Sequence, residues 1–116
     1  MKTAWVVALV VVNLASVLSS NVALKLSAWA PDWRGFLSWQ VLGNLTGFVG
    51  VLAFTALMRV VPLNVGYGIT AGLGFVLVQV VGAHLFFHEP VSPAQWLGVA
   101  AIAVGIALIA SGIKNA

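Results

Sequence analysis

Residues 84–90, HLFFHEP, gather both histidines and one of the two acidic side chains of a 116-residue chain. Imidazoles titrate near neutral pH, so His84 and His88 could exchange protons, with Glu89 beside them. His84 and Glu89 are thus candidates for a gate or a proton site. Pro90 stops a helix directly after Glu89, so a turn-stabilising role accounts for this acid equally well. Metal binding is not expected. The two histidines lie four apart and suit one helical face, but no third ligand is near. The chain has no cysteine, which removes thiolate ligands, disulfides and a cysteine nucleophile. Neither a nucleophile–base pair nor a phosphate-cradling glycine loop is visible, so neither enzymatic catalysis nor a cofactor is expected. Two cations complete the set. Lys25 ends a long apolar run, either as a snorkelling anchor or as an ammonium aimed at an anionic head group. Arg59 could grip a phosphate through its planar fork of donors, or it could fix topology.

Uncharged polar residues recur at helical spacing. Asn13, Ser16 and Ser20 share a face, with Asn21 and Lys25 beside it. Gln40, Asn44 and Thr55 form a second stripe. Asn64 opens a third segment, in which Tyr67, Thr70 and Gly74 share one face and Gly68, Gly72 and Gln79 another. Inside apolar spans such groups need partners. A single serine or threonine is best read as a hydrogen bond between helices, worth well under about 2 kcal/mol. Three stripes together are expected to converge on a polar cavity. The fourth segment carries a small-residue stripe instead, Ala94, Gly98, Ala101, Gly105 and Gly112. Small residues let backbones approach closely, so its expected role is packing, within one chain or between two, with Gly98, Ala101 and Gly105 at the contact. Gly43-xxx-Gly47 and Gly68-xxx-Gly72 repeat the same spacing.

These side chains must be positioned by membrane-spanning elements. The composition is 62% hydrophobic and 6% charged, whereas a soluble domain carries roughly 25% Asp, Glu, Lys and Arg. Lipid must be the solvent. Four uncharged runs, 4–24, 35–58, 60–83 and 91–113, are each long enough for a hydrocarbon core of about 30 Å at about 1.5 Å per residue. Open strands would leave backbone groups unpaired in lipid, so the spans are helices. The expectation is an all-α membrane protein, one domain over 1–116, with helices at about 4–26, 35–58, 63–87 and 93–113. Short loops make neighbours antiparallel. The first run is too long and too polar for a signal-peptide core, so cleavage is not expected. Lys2, Arg59 and Lys114 fall on the side of the termini and Arg34, with Lys25 near that face, on the other. The positive-inside count favours cytoplasmic termini, but by a margin small enough to suit dual topology. A net charge of +3 is too scattered for a nucleic-acid footprint.

The segment VPLNVGYGITAGLG, 61–74, resembles the third-helix signature of the small multidrug resistance superfamily, and Gly98 with Gly105-Ile106 resembles the glycine-spaced fourth helix through which that family dimerises. Two features depart from the multidrug branch. Its first helix carries an embedded glutamate where this chain has LASVL, 14–18, and it has a tryptophan where Thr70 stands. The segment HEPVSP, 88–93, followed by Trp96-Leu97-Gly98-Val99-Ala100, is similar instead to the EamA-type (drug/metabolite transporter) branch, and most of all to the small subunits of the aminoarabinose–undecaprenyl phosphate flippase. Asn21-xxx-Lys25 resembles the amide-xxx-lysine that ends the first helix of those subunits.

The resemblance implies a flippase that moves a glycosylated polyprenyl phosphate, or a related anionic lipid, across the bacterial cytoplasmic membrane by alternating access. It also implies an antiparallel pair of four-helix subunits, as a homodimer or with a homologous partner. One bundle has little interior of its own, so a second chain is needed on physical grounds as well. On this reading Lys25 and Arg59 take the phosphate in turn, while Asn13, Asn21, Asn44, Asn64, Tyr67 and Thr70 bind or hydrate the head group. The rival readings are a small exporter of cations or polar metabolites, and an accessory membrane subunit that transports nothing itself.

Overall fold

A computed structural model describes residues 2–111, the side chain of Lys2 excepted. Lys114 and Gly112, which entered the charge and small-residue readings above, lie outside the described residues, as does the side chain of Lys2. Helix α1 spans Lys2–Trp29 and α2 spans Trp33–Leu57. Helix α3, Leu63–Leu77, runs directly into a π-helical segment, Val78–Phe86, and α4 spans Pro93–Ala110. Thr3–Trp29, Trp33–Leu57, Leu63–Phe86 and Pro93–Ala110 are each long and apolar enough to cross a membrane. The protein is thus an all-α, four-span membrane protein.

Local chemistry sets the helix starts. Asp32 has extended backbone, and its Oδ1 accepts from the Gly35 amide at 2.9 Å, which caps α2. Ser92 opens α4 with a reciprocal box. Its Oγ accepts from the Gln95 amide at 3.2 Å, and Gln95 Oε1 accepts from the Ser92 amide at 2.7 Å. Pro93 follows at the first helical position, where a missing N–H costs nothing. Ser92→Ala is expected to cost about 1 kcal/mol, read as a lower thermal midpoint in detergent.

Glycines set the helix pairing. Along the α1–α2 hairpin, Gly43, Gly47 and Gly50 receive Leu24, Ser20 and Ser16; a methyl added to any of them would come within 3.0–3.1 Å of its partner's side chain. Hydrogen bonds follow the same antiparallel register. Ser20 Oγ donates to Gly43 O at 2.8 Å, Asn13 Nδ2 to Gly50 O at 3.0 Å, and Ser27 Oγ to Phe36 O at 2.7 Å. On the other side, Ile109 seats on Gly68 and Ile106 on Gly72, so α4 joins the molecule chiefly through α3. Helix α3 and its π-helical continuation close against α1, and a cluster of Leu9, Leu57 and Val61 seals the end near the α2–α3 turn. The radius of gyration is 15.6 Å, above the roughly 13 Å of a compact globule of this length. The excess fits long helices around an open cleft rather than a closed core.

Candidate functional site

That cleft runs between α1, α2 and α3 and encloses about 490 Å³. Its walls are largely apolar: Val17, Val51, Phe54, Phe75 and Val78. Polar atoms enter from Asn13, Asn21, Tyr67, Thr70 and Gln79. The α2 wall also carries Gly47 and Gly50, whose Cα faces border the cleft while their open sides seat Ser20 and Ser16 of α1. Asn13 sits near the middle of α1, about 18 Å along the helix from Lys25 at about 1.5 Å per residue. It is 6% exposed. Its Nδ2 holds Gly50 O, while its Oδ1 has no hydrogen-bond partner among the described residues. A buried acceptor left unpaired costs about 1–3 kcal/mol, so this amide keeps an unmet demand for a donor beside the cleft.

A second pocket of about 230 Å³ continues the cleft toward the membrane face and shares Asn21 and Val78 with it. Here Lys25 Nζ lies 3.1 Å from Glu89 Oε2. The ammonium also stands 5.3 Å from the centre of the Trp29 ring, a cation–π contact. Trp29 meets Phe87 edge to face at 5.0 Å. The Glu89 backbone is held from both sides. Its amide donates to Ala83 O at 2.9 Å, and its carbonyl lies 3.0 Å from His84 Nδ1. A carbonyl only accepts, so Nδ1 carries the proton in this contact. The His84 ring rests edge to face on Trp96 at 5.5 Å. His88 turns the chain with φ 57°, in the left-handed region that histidine enters at a cost.

The residues singled out from the sequence divide accordingly. Asn13, Asn21, Tyr67 and Thr70 line the cleft, and Lys25 and Glu89 line its charged end. Thr70 is buried and donates to Gly66 O at 2.8 Å. Tyr67 stands against Phe54 at 6.3 Å. Asn44 does not join them. It is exposed and donates back to Gln40 O at 2.7 Å, while Thr55 donates to Val51 O. The expected convergence of the Gln40–Asn44–Thr55 stripe on a shared cavity is therefore corrected. The glycine face of α2 turns toward α1 and rotates that stripe aside. Ser20, read as one element of the polar face, bonds the neighbouring backbone instead. Asn64 is exposed and accepts from the Val65 amide at 2.8 Å. Arg59 is exposed in the turn after α2, at the opposite end of the spans from Lys25. Gly98, Ala101 and Gly105 lie on α4. A methyl added to Gly98 or Gly105 would meet nothing within 4 Å among the described residues.

Sequence reasoning missed the meeting of Lys25 with Glu89, 64 positions apart, and of Trp29 with Phe87; neither pair leaves a local signal. Gln79, which helical spacing sets with Gly68 and Gly72 on a face apart from Tyr67 and Thr70, lies in the π-helical segment and lines the same cleft as those two.

Comparison with known proteins adds relatives. The chain is 38% identical over 78 residues, 66% of each chain, to an uncharacterized protein of Sinorhizobium fredii. It is 44% identical over 78 residues to a probable 4-amino-4-deoxy-L-arabinose-phosphoundecaprenol flippase subunit, ArnE, of Aeromonas hydrophila, covering 66% of this chain and 67% of that protein. The protein of the same printed name from Pseudomonas savastanoi pv. phaseolicola is 32% identical over 83 residues, 67% of this chain and 71% of that one. The match thus spans about two thirds of the relatives' length. No protein-family model matches the chain, and no solved structure does.

Proposed function

The chain belongs to the family of the probable 4-amino-4-deoxy-L-arabinose-phosphoundecaprenol flippase subunits, and from that membership we propose that it moves a glycosylated polyprenyl phosphate, or a related anionic lipid, across the bacterial cytoplasmic membrane. The observation that carries this reading is the cleft itself: an apolar-walled groove with polar atoms at mid-span, continuous with an ammonium at its end. A phosphate entering a low-dielectric core is costly unless its charge is compensated and its oxygens are hydrogen-bonded. Lys25 supplies the cation, and Asn21, Tyr67, Thr70 and Asn13 supply a polar track for the head group. Because the groove is open on one side, the lipid tail can stay in the bilayer while the head travels. Arg59, at the opposite end of the spans, receives the phosphate at the far face. Asn44 and Asn64 lie off the track.

An open groove and an uncovered α4 face favour assembly with a second four-helix chain, homologous or identical, with Gly98, Ala101 and Gly105 at the contact and the two chains antiparallel. Alternating access then consists of rocking one chain against the other. The rival reading, export of a cation, finds little support in the groove. Among the described residues no carboxylate lines it, and the acid at its end already pairs with Lys25. Flipping in proteoliposomes tests the proposal. Lys25→Ala and Arg59→Ala are each expected to slow transport about fivefold, the order of one partly exposed charge contact. Full transport by the double variant removes their role. Transport by the lone reconstituted chain excludes an obligatory accessory role.

A further inference from the structure

We propose that the Glu89 carboxylate is an internal stand-in for the substrate's phosphate: it occupies the Lys25 ammonium at rest and is displaced when a phosphate arrives. The inference rests on the reading of Lys25 as the phosphate-binding cation, and it adds a second residue that sets the affinity of that site.

Three observations carry it. First, the carboxylate is where a ligand anion would be. Glu89 Oε2 is 3.1 Å from Lys25 Nζ, and both residues line the pocket that continues the cleft. Second, the hold is made to be exchanged. The two side chains are 39% and 42% exposed, and a pair of that exposure contributes little net free energy. A phosphate oxygen can take the same N–H donors without first prying apart a buried ion pair. Third, the backbone of Glu89 does not depend on the ion pair. Its amide is held by Ala83 O and its carbonyl by His84 Nδ1. The side chain can therefore swing away while the turn stays in place. Lys25 meanwhile keeps the Trp29 face at 5.3 Å, so the ammonium remains aimed at the pocket.

The arrangement has a functional consequence. A bare ammonium at the end of an apolar groove would bind phosphate tightly and release it slowly. An attached carboxylate returns to the ammonium as the phosphate departs, so it weakens binding and speeds release. Glu89 is thus a positioning and affinity-setting residue, and its removal tightens the site.

The test measures binding to the full chain in nanodiscs, with a short-chain polyprenyl monophosphate in one arm and inorganic phosphate in the other. Glu89→Gln is expected to bind about fivefold more tightly than the native chain and to turn over more slowly in flipping. Lys25→Gln is expected to bind about fivefold more weakly. The double variant is expected to match Lys25→Gln, because no ammonium remains to compete for. A gain in both arms assigns the site to phosphate as such, and a gain in the lipid arm alone assigns it to the lipid-borne group; either supports exchange. Glu89→Asp, which keeps the charge on a shorter reach, is expected to fall between native and Glu89→Gln, and it serves if the glutamine variant does not fold. Unchanged or weaker binding by Glu89→Gln, with Lys25→Gln still weakened, overturns the exchange and leaves the phosphate reading of Lys25 standing. A gain that persists without Lys25 also overturns it, since simple repulsion then explains the effect. Native binding by Lys25→Gln removes the phosphate reading itself, and the exchange with it.

Discussion

Leucine at position 72 is expected to force α4 off α3 and to lower stability by about 2 kcal/mol. A methyl placed on Gly72 would already lie 2.5 Å from Ile106 Cγ1, far inside van der Waals contact. Ile106 is β-branched and cannot simply rotate clear. Overpacking of this kind costs about 1–3 kcal/mol and sits at the high end where backbones are this close. Leucine returns part of that, because glycine in a helix interior is worse than leucine by somewhat under about 1 kcal/mol; the clash wins. Gly68→Leu meets Ile109 Cγ2 in the same way, at 2.8 Å. Unfolding in a titration with sodium dodecyl sulfate measures the loss. The paired variant Gly72→Ala with Ile106→Ala is expected to recover stability relative to Gly72→Ala alone. The control is Gly98→Leu, where an added methyl meets nothing within 4 Å among the described residues. It is expected to leave the monomer's stability within about 0.5 kcal/mol and to act on association between chains instead. Loss of monomer stability in Gly98→Leu equal to that in Gly72→Leu would contradict this division of labour between two small-residue stripes.

The same glycines explain what could be read in advance and what could not. The four spans were legible because lipid admits few charges, and the chain breaks its uncharged runs at Asp32, Arg59 and Glu89. Helix rotation was not legible to the same degree. Gln40, Asn44 and Thr55 form as good a polar stripe as Asn13, Ser16 and Ser20, but hydrogen bonds between helices and close backbone approach decide which stripe faces inward. Gly43, Gly47 and Gly50 let α1 come near, and Ser20 and Ser27 of α1 then bond α2's own carbonyls. The polar face that looked like a cavity wall became in part an interhelical seam, and the cleft opened beside it, where Asn13, Thr70 and Tyr67 meet. The π-helical segment Val78–Phe86 was invisible for another reason. Hydropathy cannot tell i→i+4 from i→i+5 bonding, yet the wider turn shifts the phase of every residue after it. That shift helps bring His84 to the Glu89 carbonyl, and with it the carboxylate to Lys25.

Asn13 gives the second large effect, and its sign differs between fold and function. Asn13→Leu removes one buried hydrogen bond, Nδ2 to Gly50 O at 3.0 Å. Such bonds between membrane helices average about 0.6 kcal/mol, and Gly50 O keeps a second lone pair for its own helix. The substitution also removes Oδ1, a buried acceptor without a partner among the described residues, whose desolvation costs about 1–3 kcal/mol. The second term is larger, so Asn13→Leu is expected to raise stability by about 1 kcal/mol. If Asn13 were only a joint between α1 and α2, transport would be unchanged or improved. If its free oxygen takes a donor from the travelling head group, transport falls about tenfold in a protein that is harder to unfold. Asn13→Asp separates polarity from shape, since it keeps an acceptor but places a charge at mid-span, where ionised groups are costly; it is expected to lose both stability and transport. Measuring denaturant midpoint and flipping rate on the same three preparations decides the matter, because a merely structural asparagine moves the two together and a head-group contact moves them apart.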